Sequence, residues 1–102
     1  ATNRAVGKSF RVKDGVTHIN RGVFSGCTDL KDIDLNGVIY IDKSAFTNCT
    51  ALQYVFIPDG VTYIGEWAFA HCTSLKRISI PRKTFIDKNA FNECNAEIEW
   101  RD

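Results

Sequence analysis

Four cysteines and two histidines are the side chains of this 102-residue chain best suited to chemistry. Thiolates and imidazoles can hold a metal, pair as disulfides, or supply a nucleophile and its base. The cysteines stand at Cys27, Cys49, Cys72 and Cys94, spaced by 22, 23 and 22 residues. A zinc site wants its ligands in pairs roughly two to four residues apart, and no such pair exists. His18 and His71 lack the Asp or Ser spacing of a triad. His71 adjoins Cys72, but adjacent residues on a helical turn diverge, so that Cys points inward and His outward. No phosphate loop, nucleophile elbow or carboxylate pair of recognisable spacing is present. These residues predict no catalytic site, no metal and no cofactor.

A regular period above 20 residues is the mark of a repeat architecture. Three residues before each Cys stands Phe24, Phe46, Phe69 or Phe91, preceded by Val23, Ala45, Ala68 or Ala90. Eight residues before each Cys is Ile19, Ile41, Ile64 or Ile86. After the first three cysteines come Leu30, Leu52 and Leu75, then Ile33, Val55 and Ile78, then Leu35, Ile57 and Ile80. Six aligned columns divide the chain into a partial unit at 1–15, units at 16–37, 38–60 and 61–82, and an altered terminal unit at 83–102. In that last unit Glu97 falls where Leu is expected, with Ile98 and Trp100 nearby.

Each unit holds two apolar segments joined by a turn. Leu52-x-x-Val55-x-Ile57 ends in strict alternation, which predicts a short strand with Val55 and Ile57 on one face, and Pro58-Asp59-Gly60 predicts the turn. Val61 to Gly65 is β-branched and aromatic, which suits a second short strand. Ala68, Phe69 and Cys72 have the spacing of one helical turn with a shared inward face. No unit is long enough to bury these residues alone, so the units must stack. The expected fold is one repeat solenoid, a right-handed coil with short parallel β-strands on its concave side and turns or short helices on its convex side.

Leu52, Val55, Ile57, Pro58, Val61, Ile64, Gly65, Ala68, Phe69 and Cys72 together resemble the leucine-rich repeats of the BspA-like, Treponema pallidum type. The resemblance covers roughly residues 9–96. The first full unit departs from it, with Asn36-Gly37 in place of Pro and one residue fewer, and with Val23 in place of Ala. The resemblance implies a cell-surface or secreted adhesin-like protein that binds a host matrix, serum or cell-surface protein.

Composition is that of a folded domain: 44% hydrophobic, 25% charged, seven Gly and two Pro. The net charge of +1 proposes neither nucleic acid nor membrane as a partner, and no apolar run approaches the length of a membrane span. Arg82-Lys83 with Lys76-Arg77 is a small basic cluster, best read as a solvated face. Asn48-Cys49-Thr50 matches the glycosylation pattern, which matters only in a secreted eukaryotic chain. The absence of Met and of a signal segment at Ala1 to Arg4 suggests a processed product or a piece of something longer. The partial first unit, with no polar cap, leaves a structural role open as the alternative, in which coil ends associate end to end.

Positions between the core columns should face outward along the strands: Ser9 and Arg11, Asp32 and Asp34, Tyr54 and Phe56, Arg77 and Ser79. Two outward aromatics side by side form a candidate protein-binding centre. Asp32 and Asp34 flank it on one side and Lys76 and Arg77 on the other, so a charge gradient is expected. A second column, His18, Tyr40, Tyr63 and Phe85, is either a second interaction face, for sugars or another protein, or a stabilising ladder of rings. Trp67 stands where other units carry Gly22, Ser44 and Asn89, and is either an anchor or incidental. The cysteines are expected to be a column of buried thiols, because stacked in-register side chains run parallel and suit disulfides poorly.

Overall fold

The computed structural model describes residues 7–102; the start of the partial first unit, residues 1–6, lies outside the described residues. The chain winds through nine short strands: β1 (Ser9–Arg11), β2 (His18–Ile19), β3 (Asp32–Asp34), β4 (Tyr40–Ile41), β5 (Tyr54–Phe56), β6 (Tyr63–Ile64), β7 (Arg77–Pro81), β8 (Phe85–Ile86) and β9 (Glu97–Arg101). Every strand pairs in parallel with its copy one coil away. One side of the solenoid carries β1-β3 and β5-β7-β9; another carries β2-β4-β6-β8.

Stacking equivalent residues is what builds the core. Ile41, Leu52, Val55, Ile57, Ile64, Phe69, Ile78 and Ile80 are almost wholly removed from water. The phenylalanines form a continuous stack: Phe24 on Phe46 at 5.2 Å, Phe46 on Phe69 at 5.1 Å, and Phe69 on Phe91 at 5.6 Å between ring centres. Phe10 meets Phe24 edge-on at 5.4 Å and closes the stack at the first coil.

The segment read as a helical turn takes a different form, and no helix occurs among the described residues. In the three full units two residues lie in the left-handed region and interrupt the helix, Gly22 and Gly26, Ser44 and Asn48, Trp67 and His71, while the terminal unit keeps one, Glu93. Alternate N–H groups therefore point in different directions. In the third unit the N–H groups of Ala68, Ala70 and Cys72 fold back on Gly65, Trp67 and Phe69. Those of Trp67, Phe69 and His71 reach across to Asn89, Ala90 and Asn92 of the next coil. Every other backbone donor thus bonds the neighbouring coil, which an α-helix cannot do because it uses all its interior donors internally. The expected inward face survives, since Ala68, Phe69 and Cys72 are all fully buried.

The terminal unit is altered by shortening. β9 begins at Glu97, three residues after Cys94, whereas Asp32, Tyr54 and Arg77 each begin a strand five residues after their Cys. Glu97 therefore pairs with Arg77, Ile98 with Ile78 and Glu99 with Ser79, and the leucine column is skipped.

Candidate strand-face binding site

The cysteines are ordinary core residues. All four are free thiols; Cys27, Cys49 and Cys72 are buried and Cys94 is half-buried. The Cys49 thiol donates to the Phe24 carbonyl and the Cys72 thiol to the Phe46 carbonyl, each at 3.1 Å. Those carbonyls also accept N–H bonds at the ends of their own turns, so the thiol occupies a second lone pair. His71 is exposed while Cys72 is buried, and the two diverge as expected. Among the described residues, no three His, Cys, Asp or Glu side chains converge as a metal site would require.

Burial pushes the Cys72 thiol up to about 12 and raises Cys49 further still, with the neighbouring Cys72 and Cys27 adding to the effect. An unfolded thiol titrates near 9.0. The folded state thus holds these protons longer than the unfolded chain, and their contribution to stability is complete below pH 9. It is lost as pH rises from there toward 12. Urea midpoints measured on either side of pH 9 should fall at alkaline pH, and the fall should flatten in a Cys49→Ala, Cys72→Ala variant.

The outward rows of the strand face run Ser9, Asp32, Tyr54, Arg77, Glu97 and Arg11, Asp34, Phe56, Ser79, Glu99. Tyr54 is 38% exposed and Phe56 48% exposed. Period-2 alternation aims both outward while Val55 between them is buried. Each ring carries a guanidinium. Arg77 lies 4.8 Å from the Tyr54 ring centre, and Arg101 lies 4.1 Å from that of Phe56. Arg101 arrives from the end of β9 and is held by three more contacts at 2.7 Å: it donates to Ser79 Oγ, the Ile57 carbonyl and the Asp59 carboxylate. Arg77 is also fixed, by Glu99 at 3.1 Å. The aromatics are accordingly presented in a rigid frame rather than as loose side chains.

Three expectations change. Ser79 does not face solvent; it is 4% exposed, because Glu99 stands beside it in β9 and Arg101 covers it. The charge gradient is interrupted, since the shortened last unit sets Glu97 and Glu99 beyond Arg77 and makes that edge acidic again. Lys76 stands one residue ahead of β7, where its backbone N–H donates to the Gln53 carbonyl and its carbonyl accepts from the Glu97 N–H. Its side chain makes no hydrogen bond, ion pair or ring contact among the described residues, so it does not join the aromatic pair. Asp32 and Asp34 remain exposed, and are tied to the first coil by Ser9 at 3.4 Å and Arg11 at 3.4 Å. Sequence reasoning missed Arg101, whose role depends on the shortened loop.

The second column is a ladder. His18 packs on Tyr40 at 5.1 Å, Tyr40 on Tyr63 at 4.7 Å and Tyr63 on Phe85 at 5.6 Å, the last two pairs nearly parallel. Tyr40 and Tyr63 each lie between two rings, while Phe85 ends the ladder with one ring partner and is 59% exposed. Each pair contributes about 0.5–1.5 kcal/mol. This geometry supports the stabilising reading of that column. Trp67 is elsewhere, on the turn column, 41% exposed, with the Lys43 ammonium 5.2 Å from its ring centre.

Comparison with known proteins agrees with this architecture. Residues 5–99 match the family described as BspA type leucine rich repeat region, in six copies. A leucine-rich repeat protein from Bacteroides ovatus ATCC 8483 superimposes with a TM-score of 0.69 at 23% identity, over 93% of this chain and 30% of that one. A leucine rich cell surface protein from Faecalibacterium prausnitzii A2-165 does so with a TM-score of 0.68 at 32% identity, over 91% of this chain and 32% of that one. The chain thus spans about a third of the length of either structure. No curated protein matches.

Proposed function

The chain belongs to the BspA type leucine-rich repeat family, and from that premise we propose that it is a non-catalytic protein-binding module of a cell-surface or secreted protein. The observation that carries this reading is the pair Tyr54 and Phe56, exposed on the strand face and each braced by an arginine. Tyr and Arg are the residue types that dominate binding hot spots, and side chains held in place beforehand lose little entropy on association. The acidic residues Asp32, Asp34, Glu97 and Glu99 border the aromatic centre and would serve as a polar rim that sets partner orientation rather than affinity. The cell-surface assignment draws on the resemblance to the Faecalibacterium prausnitzii surface protein.

Binding to a panel of purified matrix, serum and cell-surface proteins tests the proposal. A Tyr54→Ala, Phe56→Ala variant should bind its partner about thirtyfold more weakly, the loss typical of hot-spot truncation. Unchanged affinity removes the strand face from consideration, and silence across the whole panel removes this class of partner.

A further inference from the structure

Trp67 occupies a position that ordinarily penalises it. Its φ is +59°, as is that of His71 four residues on. The equivalent positions elsewhere carry Gly22 and Ser44 for Trp67, and Gly26, Asn48 and Glu93 for His71, all at positive φ. Bulky residues are rare in this region, where the Cβ crowds the backbone, and such strain gathers at functional sites. Here it sets an exposed indole and an exposed imidazole side by side on the turn column.

Trp67 and His71, with Thr47, Asn48, Ala70 and Asn92, line a shallow depression of about 350 Å³. That is near the lower end of the range for small-molecule sites. Its residues come from three successive coils, with Trp67 and His71 in the middle and the two asparagines on either side. Coils one ladder apart are separated by about 4.7–4.9 Å, so the two asparagine-bearing coils are roughly 10 Å apart. The Asn48, His71 and Asn92 side chains are exposed and make no hydrogen bond or ion pair among the described residues. Thr47 is already committed, donating to the Trp67 carbonyl at 2.7 Å and steadying the turn that presents the indole. Lys43 lies over the indole but does not line the depression.

We propose that this depression is a carbohydrate site, taking one neutral hexopyranose or a disaccharide unit of a glycan. A pyranose has an apolar C–H face that suits an indole, and a rim of hydroxyls that both donate and accept. Carboxamides also do both, and a neutral imidazole does so through its two nitrogens, so the lining can meet a ring of hydroxyls from both sides. No carboxylate, ammonium or guanidinium lines the depression, which favours an uncharged sugar over an anionic one. The site is distinct from the Tyr54 and Phe56 face and stands independently of the function proposed for it.

Trp67→Gly is the informative variant, because glycine suits the left-handed backbone there and the fold should persist. Methyl glucoside, methyl galactoside and methyl mannoside would each be titrated into the intact protein and its variants, following by NMR the backbone amide signals of Thr47, Asn48, Ala70, His71 and Asn92 around the depression. At least one sugar should bind saturably with roughly millimolar Kd, as expected of a shallow site. Trp67→Gly should abolish this binding, and Asn92→Ala should weaken it about tenfold. The Tyr54→Ala, Phe56→Ala variant should bind sugar as the wild type does, which separates the two sites. Absence of saturable binding by all three sugars, or binding that persists in a folded Trp67→Gly protein, overturns the proposal.

Discussion

Phe69→Ala should lower the unfolding free energy by about 3–5 kcal/mol. The ring is fully buried between Phe46 at 5.1 Å and Phe91 at 5.6 Å, both nearly parallel to it. Truncation removes two stacked contacts and leaves a cavity that the neighbours cannot fill, because the backbone on either side is bonded coil to coil. Phe46 N–H donates to the Ala68 carbonyl at 2.7 Å, and Phe69 N–H to the Ala90 carbonyl at 2.9 Å. In a solenoid each coil is held only by its neighbours, so a defect in the middle weakens both interfaces at once. Against a typical total of about 5–15 kcal/mol the expected loss is a large fraction. Urea denaturation measures it, with Lys88→Ala as the comparison; Lys88 is exposed, and its loss should cost less than about 0.5 kcal/mol. Equal effects at the two positions would mean that the stacked core is misassigned.

Gly65→Ala should be nearly as damaging, although it adds only one methyl group. A Cβ at this position would lie 2.9 Å from the Lys43 nitrogen and 3.0 Å from the Asp42 carbonyl carbon. Both atoms are backbone, so no side chain can rotate away. Relief requires the second and third coils to separate where Gly65 N–H bonds the Ile41 carbonyl at 2.9 Å, beside the β4–β6 ladder. The cost should reach the upper end of the ~1–3 kcal/mol typical of overpacking, and the melting temperature should fall by roughly 12–24 °C. Gly37→Ala is the control, since a Cβ there meets nothing within 4 Å and should change stability by less than about 0.5 kcal/mol. A Gly65→Ala protein that melts with the wild type would show that the coils are not in close contact at this point.

Gly65 also shows where the reading of local sequence stops. Other units carry Asn20, Asp42 and Asp87 in its column, and Asp42 and Asp87 use their carboxylates to accept the N–H groups of Lys43 at 2.6 Å and Asn89 at 2.8 Å. A side chain is therefore acceptable in that column, and only the closeness of two particular coils forbids it at Gly65. The helical-turn reading of Ala68 to Cys72 failed differently, since a signal was present. Gly22 and Gly26 in the first unit mark the two columns that take positive φ, and residues that alternate in this way cannot continue a helix.

The amino-acid sequence alone determined the solenoid, its period and its core. A residue buried against its own copy must recur at every turn, so Phe, Ile, Leu and Cys columns record the stacking directly. It also determined that the cysteines, which first suggested metal or nucleophile chemistry, are packing residues. Tertiary structure alone decided what the surface does with its outward residues. Arg101 reaches Phe56 and Ser79 because the last loop is shortened, which sets Glu97 and Glu99 beside Arg77 and Ser79. The depression around Trp67 exists because three coils place Asn48, His71 and Asn92 around one indole. Surface contacts of this kind join residues from different coils through side-chain geometry, and nothing requires them to repeat, so periodicity leaves no record of them.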